Sequence, residues 1–70
     1  MSDEEAAFES VYRQHQGPIY RFALRMSGSE AVAEEVTQEA FLTLIREPRA
    51  YRPERGALGA FLLGIARNLV

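Results

Sequence analysis

Apolar residues recur at helical spacing along almost the whole chain, in three blocks separated by short polar breaks. The middle block, from Ser29 to Arg46, is the most informative. At about 100° per residue, Val36, Ala40, Ala33, Leu44 and Phe41 gather on one side of a helix, while Glu35, Glu39, Gln38 and Arg46 gather on the other. Leu42 breaks this division, falling inside the charged side between Gln38 and Glu39 in angular order. An apolar centre ringed by carboxylates and an amide suits a contact spot for another protein, because the centre supplies affinity and the ring supplies orientation. A lone exposed leucine is also common, and periodicity by itself favours that plainer reading.

The first block predicts a helix starting near Asp3, where acidic side chains favour a helix N-terminus. Its buried stripe is predicted to be Phe8, Tyr12, His15, Ile19, Phe22 and Met26, with Val11 and Ala23 alongside. Gly17-Pro18 interrupts it, and an interior proline removes a hydrogen bond and crowds the preceding turn, so a kink is expected there. The stripe keeps its phase across the interruption, which predicts one bent helix packed on one neighbour. His15 has no second His or Cys to share a metal, so it reads as a core-edge histidine rather than a ligand or catalyst.

Ser27-Gly28-Ser29 punctuates the chain, with Gly28 suited to the position after a helix and Ser29 to the N-cap of the next. Glu47-Pro48 ends the second helix, since the residue before proline disfavours helical dihedrals. A loop of about ten residues follows, long enough to be functional by the usual connection lengths. Between Pro48 and Gly56 it holds Arg49, Arg52, Arg55 and Tyr51. Basic residues interleaved with an aromatic can grip a nucleic-acid backbone while stacking on a base. The same composition suits a solvated loop, and composition does not choose between them. The third helix starts near Ala57 and is predicted to bury Leu58, Phe61, Leu62, Ile65, Ala66 and Leu69; Gly59 and Gly64 suggest close approach by a backbone or ligand. It runs to Val70 without a capping residue, which reads as a helix cut from a longer protein.

The expected fold is therefore all-α: a single bundle of three helices over residues 1–70, the first kinked near Gly17-Pro18. The 70 residues, 47% hydrophobic and 26% charged, fit one small globular domain. Absence of cysteine removes disulfides and thiolate chemistry, and suits a reducing cytoplasm. No apolar run approaches the roughly 20 residues that span a bilayer, and the acidic start has the wrong sign for a signal peptide, so a soluble protein with no membrane insertion is expected. Charge is uneven: residues 1–45 carry three arginines against eight acidic residues, and residues 46–70 carry five against two. Different partners are expected for the two parts. All the basic residues are arginine, which suits bidentate contacts to carboxylate or phosphate, although a GC-rich genome gives the same bias and is the favoured explanation. Nothing forms a catalytic constellation: there is no Ser or Cys with a base, no phosphate loop and no metal spacing, so neither enzyme activity nor a cofactor is expected. The acidic cluster lacks a Glu-x-x-His pair and reads as a solvated face.

Three stretches resemble region 2 of the extracytoplasmic-function sigma factors, the promoter-recognition subunits of bacterial RNA polymerase. Ile19-Tyr20-Arg21-Phe22-Ala23-Leu24-Arg25-Met26-Ser27-Gly28 resembles the end of the family's first helix. Ala33-Glu34-Glu35-Val36-Thr37-Gln38-Glu39-Ala40-Phe41-Leu42 resembles its second helix. Arg52-Pro53-Glu54-Arg55-Gly56, followed by Phe61-Leu62-Leu63-Gly64-Ile65-Ala66-Arg67-Asn68, resembles its loop and third helix. The resemblance implies that Glu35, Gln38, Glu39 and Leu42 dock on the coiled coil of the polymerase beta-prime subunit. It implies that Tyr51, Arg52 and Arg55 in the loop, with Arg67 and Asn68 in the helix, hold and melt the minus-ten promoter element, mainly as single-stranded non-template DNA. An anti-sigma protein is a further partner the family allows. The chain departs from the family in having Phe61 where tryptophan is usual. The family also continues beyond the equivalent of Val70 with a basic stretch and a second DNA-binding domain. Two other readings stand beside this one: a helical protein-interaction adaptor without nucleic-acid binding, and a duplex-reading helix-turn-helix regulator. The connections disfavour the latter, being wrong for a tight turn before a recognition helix.

Overall fold

The computed structural model describes residues 3–70. Three α-helices appear in order: α1 over Asp3–Ser27, α2 over Glu30–Arg46 and α3 over Leu58–Leu69. Two single-turn 3-10 helices, Pro48–Ala50 and Pro53–Arg55, lie between α2 and α3. This is the expected all-α bundle. The chain stays helical through Gly17 and Pro18, so both halves of α1 form one element, as the unbroken phase of the apolar stripe predicts.

The α1–α2 junction follows from three small residues. Gly28 takes φ 68°, a left-handed conformation that ends α1 cheaply for want of a Cβ, and its N–H donates to the Leu24 carbonyl at 2.7 Å. The Ser29 hydroxyl then accepts from the Val32 N–H at 3.2 Å, capping α2. Ser27 ties the two ends together: its hydroxyl donates to the Ala23 carbonyl at 2.7 Å and accepts from the Ser29 N–H at 3.2 Å. At the far end of α2, the Glu47 N–H reaches the Thr43 carbonyl at 2.8 Å and Pro48 forbids continuation.

The core is built from Ile19 and Ala23 of α1, Ala33, Val36, Ala40 and Phe41 of α2, and Leu62 and Ala66 of α3. Half of these are alanine, which lets the helices approach closely, while Ile19, Leu62 and Phe41 fill the volume between them. Phe8 and Tyr12 close on Phe41 from α1, with ring centroids 6.2 Å and 4.8 Å away. Among the described residues Thr37 is the buried polar one, satisfied by donating its hydroxyl to the Ala33 carbonyl at 2.7 Å.

Three expectations need correction. Met26, predicted to lie on the buried stripe, is 60% exposed in the last turn of α1, next to the turn into α2, where helical phase alone does not guarantee a covering neighbour. Leu69, predicted as core, is 47% exposed at the end of α3. The close approach expected at both helical glycines exists at Gly59, beside His15, but a Cβ at Gly64 would meet nothing within 4 Å.

Candidate functional site

Glu35, Gln38, Glu39 and Leu42 share one exposed face of α2 and line a single surface depression of about 400 Å³. Its remaining walls are Val32, Val36 and, from α3, Leu69. The Leu42 side chain cannot turn inward, since Phe41 fills the core at 3% exposure and adjacent helical positions point about 100° apart. Glu39 is not a free charge: its Oε1 lies 3.4 Å from Nη1 of Arg46. Both side chains of this pair are largely open to water, so it orients the carboxylate more than it stabilises the fold.

Across the Leu42 ridge lies a second depression, of about 290 Å³, lined by Phe8, Tyr12, Gln38, Phe41, Leu42 and Ile45. Ile45 is 54% exposed. Leu42 and Gln38 thus stand between an acidic hollow and an apolar one. The sequence signal for Ile45 existed, three residues beyond Leu42 on the same helical side, whereas the part of Leu69 is decided by where α3 ends beside α2.

The basic segment forms a separate hollow of about 320 Å³, walled by Tyr51, Phe61, Ala57 and Ala60 and rimmed by Arg52 and Arg55. Proline opens each 3-10 turn, and Gly56, at φ 144°, carries the chain back toward α3 through a conformation that side chains disfavour. Arg52 and Arg55 are exposed, and among the described residues neither has a carboxylate within ion-pair distance. Tyr51 packs its ring on Phe61, centroids 5.4 Å apart, and donates its hydroxyl to the Gly56 carbonyl at 3.3 Å.

Arg67 and Asn68 do not join this hollow. Both are exposed in the last turn of α3, about 10 Å along the helix from Phe61 at 1.5 Å per residue. Arg67 follows Ala60 by seven residues, which returns it to within about 20° of the same side. The structure therefore brings Tyr51, Arg52 and Arg55 together and sets Arg67 and Asn68 farther along one track. Phe61, read from sequence as a core anchor, is half-buried and serves as a wall of the hollow.

Among the described residues no three His, Cys, Asp or Glu side chains gather as a metal site, and no helix is long and apolar enough to cross a membrane.

Residues 11–70 match the family described as Sigma-70 region 2. Among curated proteins, the chain is 37% identical over 67 residues to the ECF RNA polymerase sigma factor BldN of Streptomyces coelicolor, covering 96% of this chain and 25% of that protein. It is 36% identical over 63 residues to the ECF RNA polymerase sigma factor SigE of Mycolicibacterium smegmatis, covering 90% of this chain and 24% of the relative. It is 33% identical over 67 residues to the ECF RNA polymerase sigma factor SigL of Mycobacterium tuberculosis, covering 96% and 38%. The chain thus spans well under half the length of these relatives. No solved structure matches at comparable significance. With α1 from Val11 onward, the capped junction, α2, the loop motif and α3 falling inside the matched span, the chain belongs to the Sigma-70 region 2 family, and its relatives are extracytoplasmic-function sigma factors.

Proposed function

We propose that this domain serves transcription initiation in the bacterial cytoplasm by two surfaces of opposite character. Glu35, Gln38, Glu39 and Leu42 dock on the beta-prime coiled coil of core RNA polymerase. Tyr51, Arg52 and Arg55, continued by Arg67 and Asn68, hold the single-stranded minus-ten element of the non-template strand and so favour its melting. The observation that carries the reading is the gathering of Glu35, Gln38, Glu39 and Leu42 around one depression, with an apolar ridge in a polar ring. The unpaired arginines around an aromatic hollow support the second half, since extruding a base costs a few kcal/mol that a walled pocket and phosphate contacts offset. A protein covering either surface would act as an anti-sigma partner.

The test measures core polymerase affinity for Leu42→Asp and Gln38→Ala, with helical circular dichroism as the control. Both variants should bind polymerase more weakly at unchanged helicity; undiminished binding would sink the docking assignment. For the basic surface, labelled single-stranded and double-stranded minus-ten oligonucleotides are compared at two salt concentrations, with Asn68→Ala alongside. A protein-interaction adaptor is the second reading, favoured by the apolar depression beside Leu42. It predicts no preference for any single-stranded sequence.

A further inference from the structure

From Glu47 to Ala57 every residue is exposed except Tyr51. This segment has no buried side chain of its own, and its short backbone bonds, Ala50 N–H to Glu47 at 2.9 Å and Arg55 N–H to Arg52 at 2.9 Å, close single turns without joining them to the bundle. Tyr51 makes that join with its ring and braces the segment internally with its hydroxyl. Its ring rests on Phe61 of α3 with centroids 5.4 Å apart and planes inclined by 54°. Its hydroxyl spans the loop to the Gly56 carbonyl at 3.3 Å, at the residue whose φ of 144° redirects the chain into α3. Arg52 and Arg55 lie between those two attachment points.

We infer that Tyr51 is a clasp: it acts on nucleic acid by holding the loop that carries Arg52 and Arg55 against α3, as a positioning residue, and not by stacking on a base. This inference rests on the nucleic-acid reading of the loop, but the clasp itself is testable without any ligand. The ring and the hydroxyl make separable contributions, an aromatic pair and a hydrogen bond, each of modest size.

Trypsin reports the clasp directly. Arg55-Gly56 is a cleavable bond inside the clasped loop, and its cleavage follows the population of the opened loop when closing is fast. Cleavage after Arg55 should quicken about tenfold in Tyr51→Leu, which loses both attachments, and by a smaller factor in Tyr51→Phe, which keeps the ring. Helical circular dichroism at unchanged amplitude separates loop release from unfolding. Equal cleavage rates in all three proteins would overturn the clasp.

The consequence for binding is read by fluorescence anisotropy on a single-stranded oligonucleotide carrying the minus-ten element and on the same strand with abasic sites. Tyr51→Leu should weaken binding by the same factor on both strands, and this effect should vanish when Arg52→Ala and Arg55→Ala are already present. A loss confined to the strand with bases, undiminished by removing the arginines, would establish stacking and overturn the positioning role. If Arg52→Ala with Arg55→Ala leaves binding unaltered while cleavage still quickens in Tyr51→Leu, the clasp stands as a loop anchor, whereas its role in binding falls together with the nucleic-acid reading.

Discussion

His15 and Gly59 meet across the α1–α3 boundary: a Cβ placed on Gly59 would lie 3.3 Å from Nδ1 and 3.4 Å from Cε1 of the imidazole. The glycine is what lets the start of α3 come this near to α1. Gly64, five residues on, faces open space. Both are helical glycines without positive φ, so alanine removes the same backbone entropy cost of about 0.5–1 kcal/mol at each, and only the steric surroundings differ. Gly64→Ala should raise the thermal midpoint by several degrees, at about 4–8 °C per kcal/mol for a domain of this size. Gly59→Ala should gain less or lose stability, and should recover the gain in a His15→Ala background. Equal midpoint shifts for the two alanine variants would show that His15 yields freely.

Phe41 and Leu42 are neighbours in sequence with opposite fates. Phe41 is 3% exposed beneath Phe8 and Tyr12, and Leu42 is 38% exposed. Phe41→Ala should cost about 3–5 kcal/mol, most of what a domain this small possesses, and so should leave it largely unfolded at ambient temperature. Leu42→Ala should change unfolding free energy by about 0.5 kcal/mol or less, because an exposed side chain away from special features contributes little. Urea denaturation followed by circular dichroism distinguishes the two. A large loss at Leu42 would mean that the ridge is structural.

Ser29→Ala removes the oxygen that accepts the Val32 N–H and should cost about 1 kcal/mol. The denaturation midpoint should fall with no change in slope, since the surface exposed on unfolding is the same. A midpoint equal to that of the parent would mean that water caps α2 as well as the serine does.

Salt dependence distinguishes charge from base reading on the basic track. Arg52→Ala, Arg55→Ala and Arg67→Ala should each lower the slope of log affinity against log salt by about 0.7 on a single strand, the effect of leaving one phosphate un-neutralised. Asn68→Ala, being a neutral change, should leave the slope intact and alter discrimination among oligonucleotides of different sequence. An unchanged slope in all three arginine variants would remove them from the phosphate backbone.

Much of this molecule was legible in its sequence because helices encode themselves locally. The spacing of Ala33, Val36, Ala40 and Phe41 predicts the buried face of α2, and Gly28 and Ser29 predict the turn before it through backbone and capping chemistry that needs no distant partner. Leu42 stands out for the same reason, since its displacement from the apolar side is a matter of angle alone. Only tertiary structure decided the rest. Whether Met26 and Leu69, each in the last turn of its helix, are covered depends on what the other helices place opposite them, which periodicity does not contain. That Gly59 answers a neighbour and Gly64 does not depends on which α1 residue lies opposite. The pairing of Tyr51 with Phe61 joins a loop to a helix whose relative placement is fixed by Leu62 and Ala66 in the core. Side chains that face solvent or a neighbour across a gap take their environment from packing, and packing is set by the whole bundle at once.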